Sequence, residues 1–160
     1  MTDLELEFEH IYLEVRAERW QQIERFLLSY YCYQHGFTSK QGKPDWEQLR
    51  ANSPRSNKFS SLSESVVEPA VPLAVIVGEI KRYWRDGELT PSTLQRLLDS
   101  LLHYVVITRS EQQALKKARL HNAMPIEWYR DKHRPWRARL EAVNITINHS
   151  RAENEFSLVK

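Results

Sequence analysis

The stretch "TPSTLQRLLDSLLHYVVI", residues 90–107, decides the predicted fold. Thr90 is a residue type preferred at helix N-caps. Pro91 suits the first helical position, because the N–H that proline lacks has no intrahelical partner there. Leucines and then valines recur at three- and four-residue spacing from Leu94 to Val106, which is the spacing of one helix face. The stretch predicts a helix from Thr90 to Val106, and we expect it to be the core helix.

The first 35 residues contain two competing patterns. The earliest apolar residues alternate, as in a strand, but over residues 3–35 the apolar positions recur every three or four residues, as on a helix. No glycine or proline interrupts the segment before Gly36, which is a typical helix stop. We therefore predict one helix of about 45–50 Å. Since that length exceeds the diameter of a small domain, the helix either breaks near Glu18 or projects into a dimer.

The middle of the chain, residues 37–72, is rich in serine, proline and asparagine. It predicts one short helix over residues 45–51, with Trp46 and Leu49 facing inward. The rest has the composition of a long loop or linker, and we expect a mobile segment at about 53–68.

Proline and capping signals mark further helices. The run at 73–77 also fits a buried strand, but its amphipathic continuation to Gly87 favours a helix. Thr108 and Glu111 form the capping box "TRSE", which opens a helix to about Leu120. Shorter elements begin at the two prolines of "PIEWYRDKH" and "PWRARLEAV". The "ITI" at 145–147 is compatible with a sheet edge, and we expect a mobile tail at 151–160.

These signals together predict an all-α fold. With only four glycines, the chain has few of the tight turns that join sheet strands. We predict a single domain over residues 1–160, built as a bundle of five or six helices with a long N-terminal helix.

The cysteine content and the N-terminus predict a cytoplasmic protein. Cys32 is the only cysteine, so no internal disulfide is possible. The acidic start "MTDLELEFEH" lacks the pattern of a signal peptide, and no apolar run approaches the roughly 20 residues that span a bilayer.

No catalytic, metal or cofactor site is predicted. Four scattered glycines cannot build a phosphate loop, which argues against nucleotide hydrolysis. The six histidines have no metal-ligand spacing. Cys32 and His35 lie one helical turn apart, as an activated thiolate requires, but the neighbouring tyrosines favour a packed helix end. We therefore expect a protein that is not an enzyme.

The charge distribution predicts where a partner binds. Residues 1–30 hold seven acidic and three basic residues, whereas residues 109–139 hold nine basic and three acidic ones. Within the basic part, "WYRDKHRPWRARL" at 128–140 interleaves three large aromatic residues with six basic ones. Cations neutralise phosphates and planar side chains stack on bases, so this composition is what single-stranded nucleic acid requires.

We predict a surface that binds RNA or DNA, with cations that hold phosphates and aromatic rings that stack on bases. Its predicted residues are Lys116, Lys117, Arg119, Trp128, Tyr129, Arg130, Lys132, Arg134, Trp136, Arg137 and Arg139. Two other interpretations stay open for the same residues, namely a packed helical hairpin with a basic exterior and a patch for an acidic protein. A rival function is an interaction subunit, whose acidic N-terminal helix self-associates or docks on a partner.

Part of the chain resembles the FinO/ProQ family of RNA chaperones. The similar parts are "KPDWEQLRANSPRSNKF", the helix start "PLAVIV" at 72–77, and a later helix that ends at Tyr104. Val75 stands where the family motif has a glycine, and the family's later Arg–Asp–Leu–Gly region has no counterpart after Tyr104. The resemblance implies RNA binding and covers under half of the chain, so we do not assign the chain to that family.

Overall fold

A computed structural model describes residues 1–148, and in that range the chain forms helices and a four-stranded sheet. The α-helices are α1 Asp3–Arg16, α2 Ile23–His35, α3 Trp46–Asn52, α4 Leu73–Arg85, α5 Pro91–Leu101, α6 Arg109–Lys117 and α7 Ala138–Ala142. The strands are β1 Arg55–Ser56, β2 Ser65–Pro69, β3 Tyr104–Thr108 and β4 Ile147–Asn148. Short 3-10 helices cover Trp20–Gln22, Leu62–Glu64 and Ile126–Arg130.

The all-α prediction is wrong, because the protein has a mixed sheet beside its helices. The helix predicted to reach Val106 ends at Leu101, and the backbone becomes extended at Leu102. The residues that follow form β3, which contains the β-branched run Val105 to Ile107. Branched side chains lose rotamer freedom in a helix and pack well on a pleated sheet, so this run favours a strand.

Strand β3 lies inside the sheet, whose order is β2-β3-β1-β4. Val106 pairs with Val67 of antiparallel β2 on one side and with Arg55 of parallel β1 on the other. Strand β4 pairs with β1 at the outer edge, which confirms the sheet-edge interpretation of "ITI". Residues Tyr104 to Ile107 are buried.

The segment at 53–68 contains β1 and most of β2, so its interpretation as an uninterrupted loop or linker is wrong. The strands escaped prediction because β1 has two residues and β2, "SVVEP", ends in proline. The mobility expected for this segment stays a prediction, and the predicted mobile tail at 151–160 lies outside the described residues.

The predicted long N-terminal helix is wrong, because the segment folds back as two helices. Of the two alternatives for this helix, the structure has the break near Glu18. Glu18 has a left-handed backbone with φ of 56° and accepts a hydrogen bond from the indole N–H of Trp84 at 3.0 Å. Helices α1 and α2 then pack on each other through buried residues such as Ile11 and Leu27. Helix α2 ends at Gly36, whose φ of 74° suits glycine, as predicted.

The predicted capping signals are confirmed. The predicted end of α6 and the predicted burial of Trp46 are wrong. Thr90 caps α5, and Thr108 and Glu111 form the capping box of α6. Helix α6 ends at Lys117, before the predicted Leu120. In the short helix α3, Leu49 is buried as expected, but Trp46, the first residue of the helix, is 43% exposed.

The buried residues form two clusters that meet at β3. The larger cluster packs α1, α2, α4 and α5 together and includes Tyr104. The smaller cluster lies between the sheet, α6 and α7, and includes Val105, Ile107, Leu115 and Leu140. Alternate residues of β3 therefore reach different parts of the core, as the two faces of a strand do.

The guanidinium of Arg139 is buried beside the smaller cluster, with no exposed surface. Its Nη2 lies 3.0 Å from the Glu68 carboxylate and also donates to the carbonyl of Pro69. Its other nitrogens donate to the carbonyls of Ala70 at 3.2 Å and Leu120 at 2.8 Å. One side chain of α7 thus ties together the end of β2 and the segment after α6.

Substitution Arg139→Leu is expected to lower the free energy of unfolding by about 3–5 kcal/mol, because it leaves Glu68 and three carbonyls without their partner. Urea denaturation followed by circular dichroism measures the change. The exposed Arg130→Leu is the control and should alter stability by less than about 0.5 kcal/mol. A loss below about 1 kcal/mol for Arg139→Leu contradicts the assigned role.

Candidate nucleic-acid interface

Two of the predicted interface residues are part of the protein interior. Arg139 is enclosed as described, and the Trp128 side chain is only 2% exposed. The indole N–H of Trp128 donates to the carbonyl of Pro135 at 3.0 Å. Neither a phosphate nor a base on the surface can reach these groups, so both residues are removed from the predicted interface.

Trp136 and Arg137 form a local stack with His103. The rings of Trp136 and His103 lie 4.5 Å apart and are nearly parallel, at 22°. The Arg137 guanidinium lies 4.5 Å from the centroid of the Trp136 ring. Trp136 therefore already stacks on a protein side chain, and its predicted use as a platform for bases loses support.

Lys117, Arg119 and Arg130 are exposed on the surface and do not line the main clefts of the structure. Lys116 lines a polar cleft near the start of α4. The eleven predicted residues are thus spread over several parts of the structure, and only some of them converge.

A cationic cleft of about 430 Å³ brings together two predicted residues and two that sequence reasoning missed. Lys132 and Arg134 come from the loop after the 3-10 helix Ile126–Arg130, whereas Arg82 comes from α4 and Arg96 from α5. We call this the cationic cleft. Arg82 and Arg96 lie on the polar faces of amphipathic helices, where a basic residue is usually just solvated. Arg82 and Arg96 share a cleft with Lys132 and Arg134 only because of the way α4 and α5 pack.

Glu79 positions two of the four cations. This carboxylate is 5% exposed and lies 3.0 Å from Nε of Arg82 and 2.5 Å from Nε of Arg134. Burial lowers the pKa of Arg82, but the hydrogen bond and charge of Glu79 more than offset this, and the net shift is upward. Glu79 therefore keeps a charged guanidinium at the wall of the cleft.

Arg134 also holds its own loop in place. Its Nη1 donates to the carbonyls of Tyr129 and Asp131, both at 2.9 Å, and its backbone has φ of 42°. Arg96 and Lys132 are more exposed and have no carboxylate within salt-bridge distance in the described residues. With Glu79 and Asp131 counted against the four cations, the cleft keeps a net charge of +2 when His133 is neutral.

Comparisons with known proteins identify no relative. No family model matches the chain, and neither a curated protein nor a solved structure matches it. The resemblance to FinO/ProQ proteins thus has no support from family models, and Tyr104, expected to end a helix, opens β3.

None of the helices in residues 1–148 has the length and hydropathy to cross a bilayer. In the same range, no three metal-ligating side chains come close enough to hold an ion.

Histidine 103 makes stability depend on pH. Burial lowers the pKa of His103, hydrogen bonds with the backbone of Ser100 and Asp99 oppose this, and the charges of His35 and Arg137 add to the lowering. The net shift is downward, so folding favours the neutral ring. In the unfolded chain the ring takes up a proton as the pH falls below about 6.5. Since the unfolded state then binds more protons, this residue makes the folded state less stable as the pH decreases.

We expect the free energy of unfolding to fall between pH 7.5 and pH 5.5, and to fall less in the His103→Gln variant. Urea titrations of both proteins at the two pH values measure the difference. An equal fall in the two proteins contradicts the assignment to His103.

Proposed function

We propose that the protein is a non-enzymatic binding protein that contacts RNA or DNA through the cationic cleft. The observation that carries the proposal is the convergence of Arg82, Arg96, Lys132 and Arg134 in one cleft. Phosphates are held by charge-assisted hydrogen bonds, and guanidinium groups provide these in a paired geometry. Arg96 and Lys132 are exposed and, unlike Arg82 and Arg134, are not paired with Glu79, so they are the main phosphate contacts in this proposal.

The proposal narrows the interface predicted from sequence. It keeps Tyr129, Lys132 and Arg134, adds Arg82 and Arg96, and leaves out the enclosed Trp128 and Arg139. A cytoplasmic location is part of the same proposal, supported by the single cysteine, which is buried as a free thiol.

Fluorescence polarisation with labelled 12-nucleotide RNA and DNA tests the cationic cleft. We expect the double variant Arg96→Gln/Lys132→Gln to bind about tenfold more weakly at low salt. The dependence of log affinity on log salt should become shallower by about 0.7 for each lost phosphate contact.

The matched control is Lys40→Gln/Lys58→Gln, which removes the same charge from exposed positions outside the cleft. It should retain most of the wild-type affinity. Equal losses in the two double variants, or wild-type binding that ignores salt, would contradict the proposal.

A second candidate function is self-association through α1. Leu6 and Leu13 lie seven residues apart on this helix, hence on one face, and their side chains are 42% and 53% exposed. Ile11 and Val15 of the same helix are buried in the larger cluster. The two exposed leucines therefore lie on the solvent side of α1, on either side of Glu9 and His10, where a partner copy of the chain can cover them.

Light scattering across a concentration series tests this candidate. We expect a dimer whose dissociation constant increases at least about tenfold in Leu6→Gln/Leu13→Gln. The control Ile126→Gln removes an exposed apolar side chain outside α1 and should leave the dimer intact. A monomer at all concentrations removes the candidate.

A further inference from the structure

Two more clefts adjoin the cationic cleft along α4. The first, of about 480 Å³, has a wall of Ala74, Val75, Gly78 and Tyr129 and shares Arg82 and Arg134 with the cationic cleft. We call it the apolar cleft. Because Gly78 has no side chain and Ala74 a small one, the surface of α4 is open at this place.

The second, of about 380 Å³, lies at the start of α4 and shares Asn122 with the apolar cleft. We call it the polar cleft. Its groups that form hydrogen bonds include Gln112, Lys116 and His121, and it also contains the carboxylates of Glu24 and Glu68.

The three clefts follow one helix. Their wall residues on α4 run from Leu73 to Tyr83, which is about 15 Å of helix. A stacked single strand advances about 3.4 Å per nucleotide and an unstacked one advances further, so this length holds at most about four nucleotides.

We propose that the three clefts form one groove for single-stranded nucleic acid, with phosphates in the cationic cleft, an unstacked base against Tyr129, and a base edge in the polar cleft. This inference rests on the proposed function and specifies its ligand. The distribution of charge favours this arrangement, because the cationic cleft has an excess of positive charge, whereas Glu24 and Glu68 offset Lys116 in the polar cleft.

Tyr129 is prepared for stacking. Its side chain is 44% exposed, its hydroxyl accepts the backbone N–H of Met124 at 3.2 Å, and its ring meets Trp128 edge-on at 5.2 Å. A ring already held in place loses little entropy when a base stacks on it. In a duplex the bases are stacked on each other, so this contact selects single strands.

The polar cleft has the chemistry to bind the edge of a base. Asn122 and Gln112 carry amides that both donate and accept, and amides of this kind pair with base edges. Glu68 is held by Arg139 at 3.0 Å and lies 3.4 Å from Nε2 of Gln112, so its carboxylate is fixed at the wall. Polyglutamate shares the attraction to the cationic cleft but offers no planar ring for Tyr129.

A length series tests the groove. Mono-, di-, tetra- and octanucleotides of RNA and of DNA, a duplex of the 12-nucleotide sequence and polyglutamate compete for the labelled 12-nucleotide probe in fluorescence polarisation. We expect affinity to rise up to about four nucleotides and then to level off. The duplex should bind at least about tenfold more weakly than the single strand, and the RNA and DNA arms show which sugar is preferred.

Gly78→Trp places a large side chain at the apolar cleft. A Cβ on Gly78 meets no atom within 4 Å, and tryptophan is a better helix residue than glycine, so we expect the variant to fold, which circular dichroism checks. We expect a loss of affinity of at least about tenfold. The control Ala51→Trp makes a small-to-large change at an exposed position of α3 and should bind like the wild type.

Tyr129→Ala should weaken binding of single strands by about five- to tenfold, whereas Tyr129→Phe, which keeps the ring, should retain most of the affinity.

If Gly78→Trp and Tyr129→Ala bind normally while Arg96→Gln/Lys132→Gln does not, the groove is overturned and the proposed function stands. Equal binding of duplex and single strand, or tighter binding of polyglutamate, also overturns the groove. Absence of any binding to nucleic acid removes both proposals.

Discussion

The buried charge of Arg139 is the constraint around which the C-terminal part of the fold is arranged. A guanidinium without access to water needs partners for its N–H groups, and here the partners come from distant parts of the chain. Glu68 and the carbonyls after it come from β2, and the carbonyl of Leu120 comes from the segment after α6. Helix α7 can therefore pack in one position only, and that position determines where the preceding loop crosses α4.

Glu79 and Arg134 repeat this arrangement closer to the surface. The buried carboxylate of Glu79 on α4 holds Arg134 of the loop. Arg134 in turn stabilises the loop by donating hydrogen bonds to the carbonyls of Tyr129 and Asp131. Lys132 is thereby brought next to Arg96 of α5, although the two residues lie far apart in sequence. The buried pair of Glu79 and Arg134 thus stabilises the fold, whereas the exposed Lys132 and Arg96 are available to a ligand.

The helix starts could be predicted from sequence because a cap is a local signal, as at Thr90 and at Thr108. Strand β3 could not, since Leu101, Leu102, Val105 and Val106 continue the helical spacing and only the pairing with β2 and β1 resolves the choice. Composition alone indicated Lys132 and Arg134. The approach of Arg82 and Arg96 depends on tertiary packing, and the burial of Arg139 contradicts the usual behaviour of arginine, so neither could be deduced.

The outer strands of the sheet have a consequence for the behaviour of the protein at high concentration. Strand β2 ends in Pro69, which has no N–H to donate, and α6 packs beside it. At the opposite edge β4 extends over two residues in the described chain. An edge strand that ends in proline and has a helix beside it is a poor template for strand addition, so the β2 edge disfavours pairing with a second molecule.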